Sequence, residues 1–167
     1  MQNFQSLNIQ LLQQLNTVLL QLSLEDYSLP LKICSYATIG QHTRHIINFY
    51  NVFIERIDDH KVCYDNRERN SDLETKKDIA SLHIKKIMVS LETECINREI
   101  VILSTITGNK EIIKSSVARE LLFILDHTVH HLAMIKMAIK TNFDYIEFPK
   151  NFGIAQSTID YKKKCAL

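Results

Sequence analysis

The chain reads as an all-α protein: a four-helix bundle with a short β-hairpin between the third and fourth helices. Three observations predict it. Apolar residues recur at three- and four-residue spacing along four long stretches, the pattern of helices with one buried stripe. Thr38-Ile39-Gly40-Gln41 and Ser71-Asp72-Leu73-Glu74 have the spacing of capping boxes at the start of two of those stretches. The β-branched run 100–106 and the segment 111–114 flank the turn signal Thr107-Gly108-Asn109-Lys110. At 167 residues the expectation is one domain, 1–167, large enough to bury about 70% of its unfolded surface without disulfide staples.

The first helix is expected over residues 3–22, where Phe4, Leu7, Leu11, Leu15, Val18 and Leu22 make a stripe and Gln and Asn fill the other face. A loop containing Pro30 follows, over 23–37. The second helix runs from Thr38 to about residue 59, with Ile39, Ile46, Phe49, Tyr50, Phe53 and Ile57 as its apolar arc. Residues 61–70 read as a polar loop. The third helix is expected over 72–97, with Ala80, Ile84, Ile87, Leu91 and Cys95 inward and His83 beside that stripe. Ser115 or Ser116 can cap the fourth helix, 117–140. Apolar residues on several sides of this helix, among them Leu121, Leu122, Phe123, Leu125 and Val129, place it in the bundle centre or partly against a second subunit. The tail, 142–167, reads as an extended segment packed over the bundle.

Composition removes several function classes. A net charge of +1 makes no electrostatic case for nucleic acid, and the basic run Lys162-Lys163-Lys164 reads as a solvated end. The leucine-rich stretch 7–22 is interrupted by Asn8, Gln10, Gln13, Gln14, Asn16 and Gln21, so it does not read as a membrane span, and the first residues lack a signal-peptide pattern. Cys34, Cys63, Cys95 and Cys165 have no close spacing and read as free thiols in a reducing compartment, which points to the cytoplasm.

Chemistry concentrates in two histidine clusters, Gln41-His42-Thr43-Arg44-His45 and His127-Thr128-Val129-His130-His131. His127 and His131 stand at i, i+4 and share a helix face; His42 and His45 stand at i, i+3. A lone pair of this kind is usually a hydrogen-bonded core or surface feature. Two clusters on separate amphipathic helices, both able to face inward, point to a divalent metal, for which neutral imidazole is the commonest side-chain ligand. On the helical wheel His42 falls inside the apolar arc and His45 at its edge, so either could join the pair. His130 and Asp126 lie about 100° from the strip that carries His127 and His131 and face elsewhere. No cysteine adjoins either cluster, which disfavours a zinc-finger site. Three histidines alone leave an open coordination position, as catalytic metals have. Zinc or nickel is favoured because imidazole suits both. Tyr64, Arg67 and Arg69 could bind a carboxylate on a small thiol or substrate, though exposed charges of this kind more often belong to a solvated loop.

The segments Thr38-Ile39-Gly40-Gln41-His42-Thr43-Arg44-His45 and His127-Thr128-Val129-His130-His131-Leu132-Ala133-Met134-Ile135 resemble the DinB/YfiT-type superfamily of helical bundles. Tyr64-Asp65-Asn66-Arg67-Glu68-Arg69 and Asn151-Phe152-Gly153-Ile154-Ala155 resemble one DinB-like subgroup. The resemblance covers most of the chain. It implies a four-helix bundle with a three-histidine metal site, one ligand from the second helix and an H-x-x-x-H pair from the fourth. Residue by residue, it implies His127 and His131 as the pair and His45 as the second-helix ligand, two turns after the capping Thr38. His42 then becomes a supporting neighbour or the alternative ligand. The superfamily includes S-transferases that use bacillithiol or related thiols and a maleylpyruvate isomerase that uses mycothiol. The implied activity is transfer of a low-molecular-weight thiol to an electrophilic small molecule by a cytoplasmic homodimer. The alternatives are a metal-binding, stress-associated bundle without turnover, and a dimerisation module whose histidines only pack.

Overall fold

The computed structural model describes residues 3–65, 70–93 and 96–165. The chain is mostly helical and carries a small three-stranded sheet. Four long helices form its body: α1 (Phe4–Gln21), α3 (Ile39–Arg56), α5 (Lys77–Thr93) and α6 (Val117–Asn142). The short helices α2 (Leu24–Ser28), α4 (Ser71–Thr75) and α7 (Gln156–Cys165) complete the set. α1 packs against α5 and α6, and α3 packs against the same two, so the four close into a ring around one apolar core.

The expected starts of α1 and α3 are present, with full reciprocal capping. The Asn3 side chain accepts from the Ser6 N–H, and the Ser6 side chain accepts from the Asn3 N–H. Thr38 and Gln41 exchange the same pair of bonds at 2.9 and 3.2 Å. α6 is capped by Ser116, whose side chain accepts from the Arg119 N–H.

The structure departs from the sequence reading at four places. The loop after α1 contains α2, capped by Ser23, and a 3₁₀ turn at Lys32–Cys34. The predicted third helix is two: Lys76 takes an extended conformation (φ −123°, ψ 93°) between α4 and α5. The capping residue is Asn70, one position before the predicted Ser71, and Cys95 of the predicted stripe lies outside the described residues. Tertiary contacts hold this break. The Tyr27 hydroxyl donates to the Leu73 carbonyl, Glu74 pairs with Arg44, and Lys77 reaches the Leu22 carbonyl. The predicted polar loop begins with a strand, β1 (Lys61–Val62). Finally, the tail packs over the helices through buried Phe143, Ile146 and Phe152, with Gly153 close against the α6 backbone at Ala133. It then forms α7, which has no buried residue.

The predicted hairpin is present as β2 (Glu99–Ser104) and β3 (Glu111–Ser116), antiparallel from Glu99↔Ser116 to Ser104↔Glu111. Gly108 supplies the positive φ (86°) that its turn needs. β1 adds to β2 in parallel, with Lys61 opposite Val101 and Val62 opposite Ile102. β3 runs straight into α6, so the sheet is anchored at the start of the helix that carries the histidine pair. By length and composition α6 is the one described helix able to cross a membrane. In this fold it packs against α1, α3 and β3.

A buried polar chain crosses the core. Asn8 donates to the Phe4 carbonyl (2.7 Å) and to the Leu121 carbonyl of α6 (3.0 Å). Its oxygen accepts from the Tyr50 hydroxyl of α3 at 2.7 Å, and that hydroxyl meets Thr128 of α6 at 3.1 Å. Each member has a partner, as burial demands.

Gly40 marks the closest approach of α3 to α4. A Cβ there would collide with the Glu74 backbone carbonyl and stand 2.9 Å from the Tyr27 ring. Gly40→Ala is therefore expected to cost about 2–3 kcal/mol by overpacking. That corresponds to a melting temperature lower by about 5–10 °C, read by thermal denaturation.

Candidate metal centre

The α3 capping box sets the helical phase that brings His42 and His45 round to α6, two turns and less from Thr38. On α6, His127 and His131 lie on the strip facing α3. One potential ligand atom each from His45, His127 and His131 falls within 4.8 Å of the other two. Ring centroids lie 4.6 Å apart for His45–His131 and His127–His131, and 5.0 Å apart for His45–His127. All three are half-buried. Such a group, all neutral nitrogen donors, could hold a metal ion.

His42 stands behind this group. It is buried, and its Nδ1 lies 3.1 Å from Nδ1 of His131, so one of the two nitrogens carries the shared proton. The wheel placed His42 inward, and it is inward; the cluster itself takes His45. His130 is exposed, its ring edge-on to His131, and Asp126 is exposed. His83 is half-buried on another face, near Asn48, Glu55 and Asp59.

Burial sets the protonation of the cluster. It pushes the His131 imidazole down to about 3, and neighbouring His45, His127, His42 and His130 add to the effect. His42 is lowered as well, by burial first and then by His130. His131 is thereby kept in the form that ligates.

From His45 and His127 a cleft of about 730 Å³ opens between the sheet and helices α3 and α6. Phe49, Tyr64 and Phe123 line it together with aliphatic and charged residues of the sheet and of α6. Phe49 lies 4.1 Å from His127 and 5.9 Å from Phe123, centroid to centroid. Tyr64, expected to meet substrate, lies in this cleft, 8% exposed and stacked on Phe49 at 5.3 Å. Burial pushes its phenol well above the ordinary range, and the Glu120 carboxylate adds to that. Arg67 and Arg69 lie outside the described residues. Among the cysteines, Cys34 is half-buried with its thiol pushed up by burial, and Cys165 is exposed. Neither joins the histidines.

The sequence reading overlooked Phe49, Phe123, Arg119 and Glu120 as cleft residues. Phe49 and Phe123 read as core. Glu120 had a readable signal: it stands seven residues before His127, two turns along the same strip of α6. It is 1% exposed, with Oε1 bonded by the Ser115 hydroxyl (2.5 Å) and Arg119 Nη1 (3.1 Å).

No protein-family model matches the chain, and no solved structure matches it. The chain is similar to FK506-binding protein 5 of Rhizopus delemar, 33% identical over 107 residues, covering 60% of this chain and 27% of that protein. The chain thus matches about a quarter of the length of that relative.

The depressed histidines give stability a definite pH dependence. In the unfolded chain an imidazole protonates near 6.5; in the folded chain His131 resists until about 3. The unfolded state therefore binds more protons below about pH 6.5, and folded stability falls as pH drops through that window. Above pH 7 these groups contribute no slope. Thermal melts of chelator-treated protein are expected to show a lower midpoint at pH 5 than at pH 7.5, with a smaller difference in His131→Ala.

Proposed function

We propose that the chain is a metal-dependent enzyme of the DinB/YfiT four-helix-bundle type. Its activity is joining a low-molecular-weight, bacillithiol-like thiol to an electrophilic small molecule. The observation that carries this reading is the convergence of His45, His127 and His131, the first two of which line the cleft. Zinc or nickel fits the donor set, since all three donors are imidazoles. A bound dication would hold a thiol as thiolate at neutral pH. With no carboxylate among its ligands, the site would keep most of the ion's positive charge for an anionic sulfur.

The chain's own residues supply the rest. His42, against His131, orients that ring and fixes which of its nitrogens points to the ion. Phe49, Phe123 and Tyr64 exclude water and offer an apolar surface to a hydrophobic electrophile. In the transfer the thiolate sulfur bonds to the electrophilic carbon as that carbon's leaving group departs with the bonding pair. The thiol proton goes to solvent.

We also place the protein in the cytoplasm as a homodimer; Leu122 and Met137, exposed on α6, support the pairing. The name of the Rhizopus relative belongs to that whole protein, and the partial match gives no reason to carry FK506 binding across.

Elemental analysis of untagged protein is expected to give about one zinc or nickel per chain. His127→Ala and His131→Ala should lose it and His42→Ala should retain most of it; unchanged metal in both α6 variants would refute the site. Loss in His42→Ala with retention in His45→Ala would exchange those two roles. For activity, metal-loaded protein is expected to accelerate conjugation of a small thiol with monochlorobimane, forming C–S as chloride leaves. Rates no higher than those of the His131→Ala and metal-stripped controls would favour the non-catalytic metal bundle. Light scattering at micromolar concentration should give twice the 19.4 kDa chain mass.

A further inference from the structure

The hairpin leaves one edge of the sheet uncovered. β3 is the last strand of the order β1-β2-β3, and its Ile112 and Ile113 are 65% and 53% exposed. The ladder fixes which backbone groups point out. The Val117 N–H donates to the Arg98 carbonyl, one step beyond the Glu99↔Ser116 pair. Bonded pairs alternate along an antiparallel ladder, so Ser115 and Ile113 turn their backbone groups to β2. Ile112 and Lys114 turn theirs to the open edge. The same alternation turns Val101, opposite Lys114, away from β3, and its N–H does donate to the His60 carbonyl on the β1 side at 2.9 Å. The side chains divide as well. Ser115 reaches Glu120 in the cleft, and Ile113, two residues earlier on the same face, lines that cleft.

An open edge pairs with another strand unless something blocks it. β3 has neither proline nor bulge, and its six residues pair one to one with β2. The block it does carry is charge, at Lys110, Glu111 and Lys114. That charge discriminates among registers when the second strand is another β3, running antiparallel about a two-fold axis. Centred on Glu111, the pairing sets Glu111 against itself. Centred on Ile112, it sets Lys110 opposite Lys114; centred on Lys114, it sets that lysine against itself. Centred on Ile113, no like charges stand directly opposite: Ile113 meets Ile113, Glu111 meets Ser115, and Ile112 meets Lys114. Of the registers centred on the exposed residues 111–114, this one remains, and it joins the outward backbone groups of Ile112 and Lys114.

We propose that two copies of this chain pair antiparallel through β3 with Ile113 on the axis, joining two three-stranded sheets into one. About four backbone hydrogen bonds close the seam. β1, two residues long, ends the sheet on either side, so the assembly stops at two copies. The axis is perpendicular to the sheet, so both clefts open on one face, and each gains the partner's Ile113 beside its own. The proposal rests on the homodimer reading for the number of copies and assigns the contact to β3.

Sedimentation velocity and disulfide trapping test it. The Ile112 N–H points outward, so Ile112→Pro removes a donor that the pair uses and the β2 ladder does not. The full chain is expected to be a dimer, and folded Ile112→Pro to have a dissociation constant at least about tenfold higher. In a Cys165→Ser background, Ile113→Cys should cross-link under mild oxidation at least about tenfold faster than Ile112→Cys, because non-bonded cross-strand partners lie within disulfide reach. Equal cross-linking of the two would overturn the proposal, and that comparison changes exposed side chains alone, so it stands even if Ile112→Pro does not fold. An undiminished dimer in folded Ile112→Pro would also overturn it, and would leave pairing through α6 as the account of the dimer. A full chain that stays monomeric at high concentration would overturn both.

Discussion

The rotation of α3 about its own axis is set by one buried hydrogen-bonded chain, and the histidine cluster depends on it. Asn8 of α1 bonds the Leu121 carbonyl of α6 and takes a bond from Tyr50 of α3, which in turn meets Thr128 of α6. Tyr50 follows Phe49 and stands five residues after His45; Thr128 follows His127. Apolar packing alone would tolerate a range of rotations, because dispersion has no direction. A hydrogen bond does not, since a turned α3 would leave Asn8 and Thr128 buried without their partner. The network thus holds His45 against His127 and His131 from one turn away.

The sheet does a different job. α6 begins where β3 ends, so the hairpin is fixed to the helix that carries the pair, and Tyr64 stands between β1 and the aromatic wall. This arrangement dries the approach to the histidines without sealing it. The consequence is electrostatic. Half-buried imidazoles in close company cannot all be charged, and burial makes the neutral form the stable one at His131 and His42. The desolvation that disfavours protons is tolerable for a neutral donor set and would be relieved by a cation that several nitrogens share.

Much of this was legible in the chain, for physical reasons that differ by element. The starts of α1, α3 and α6 carry their caps in sequence, and local hydrogen bonding decides them. The hairpin was legible because Gly108 and its neighbours specify a turn between β-branched runs. Spacing alone put His127 and His131 on one face, but it left His42 and His45 as alternatives. The difference between them is a matter of where α6 crosses α3, which only tertiary structure sets. The break at Lys76 was hidden for the same reason: Tyr27, Arg44 and Lys77 impose it from outside the segment. β1 is two residues long and exists by pairing with β2, a partner some forty positions away. α7, with no buried residue, carries no apolar stripe to read.

Glu120 shows where such reading stops. A glutamate in the first turn of a helix is ordinarily explained by the helix dipole, so its place on the His127 strip was readable but its burial was not. Burial changes its meaning, because a solvated first-turn carboxylate needs no partner and one at 1% exposure does. Ser115 and Arg119 satisfy one oxygen and keep the group folded inward. The other oxygen stands beside the buried Tyr64 hydroxyl, which hydrogen-bonds to this carboxylate.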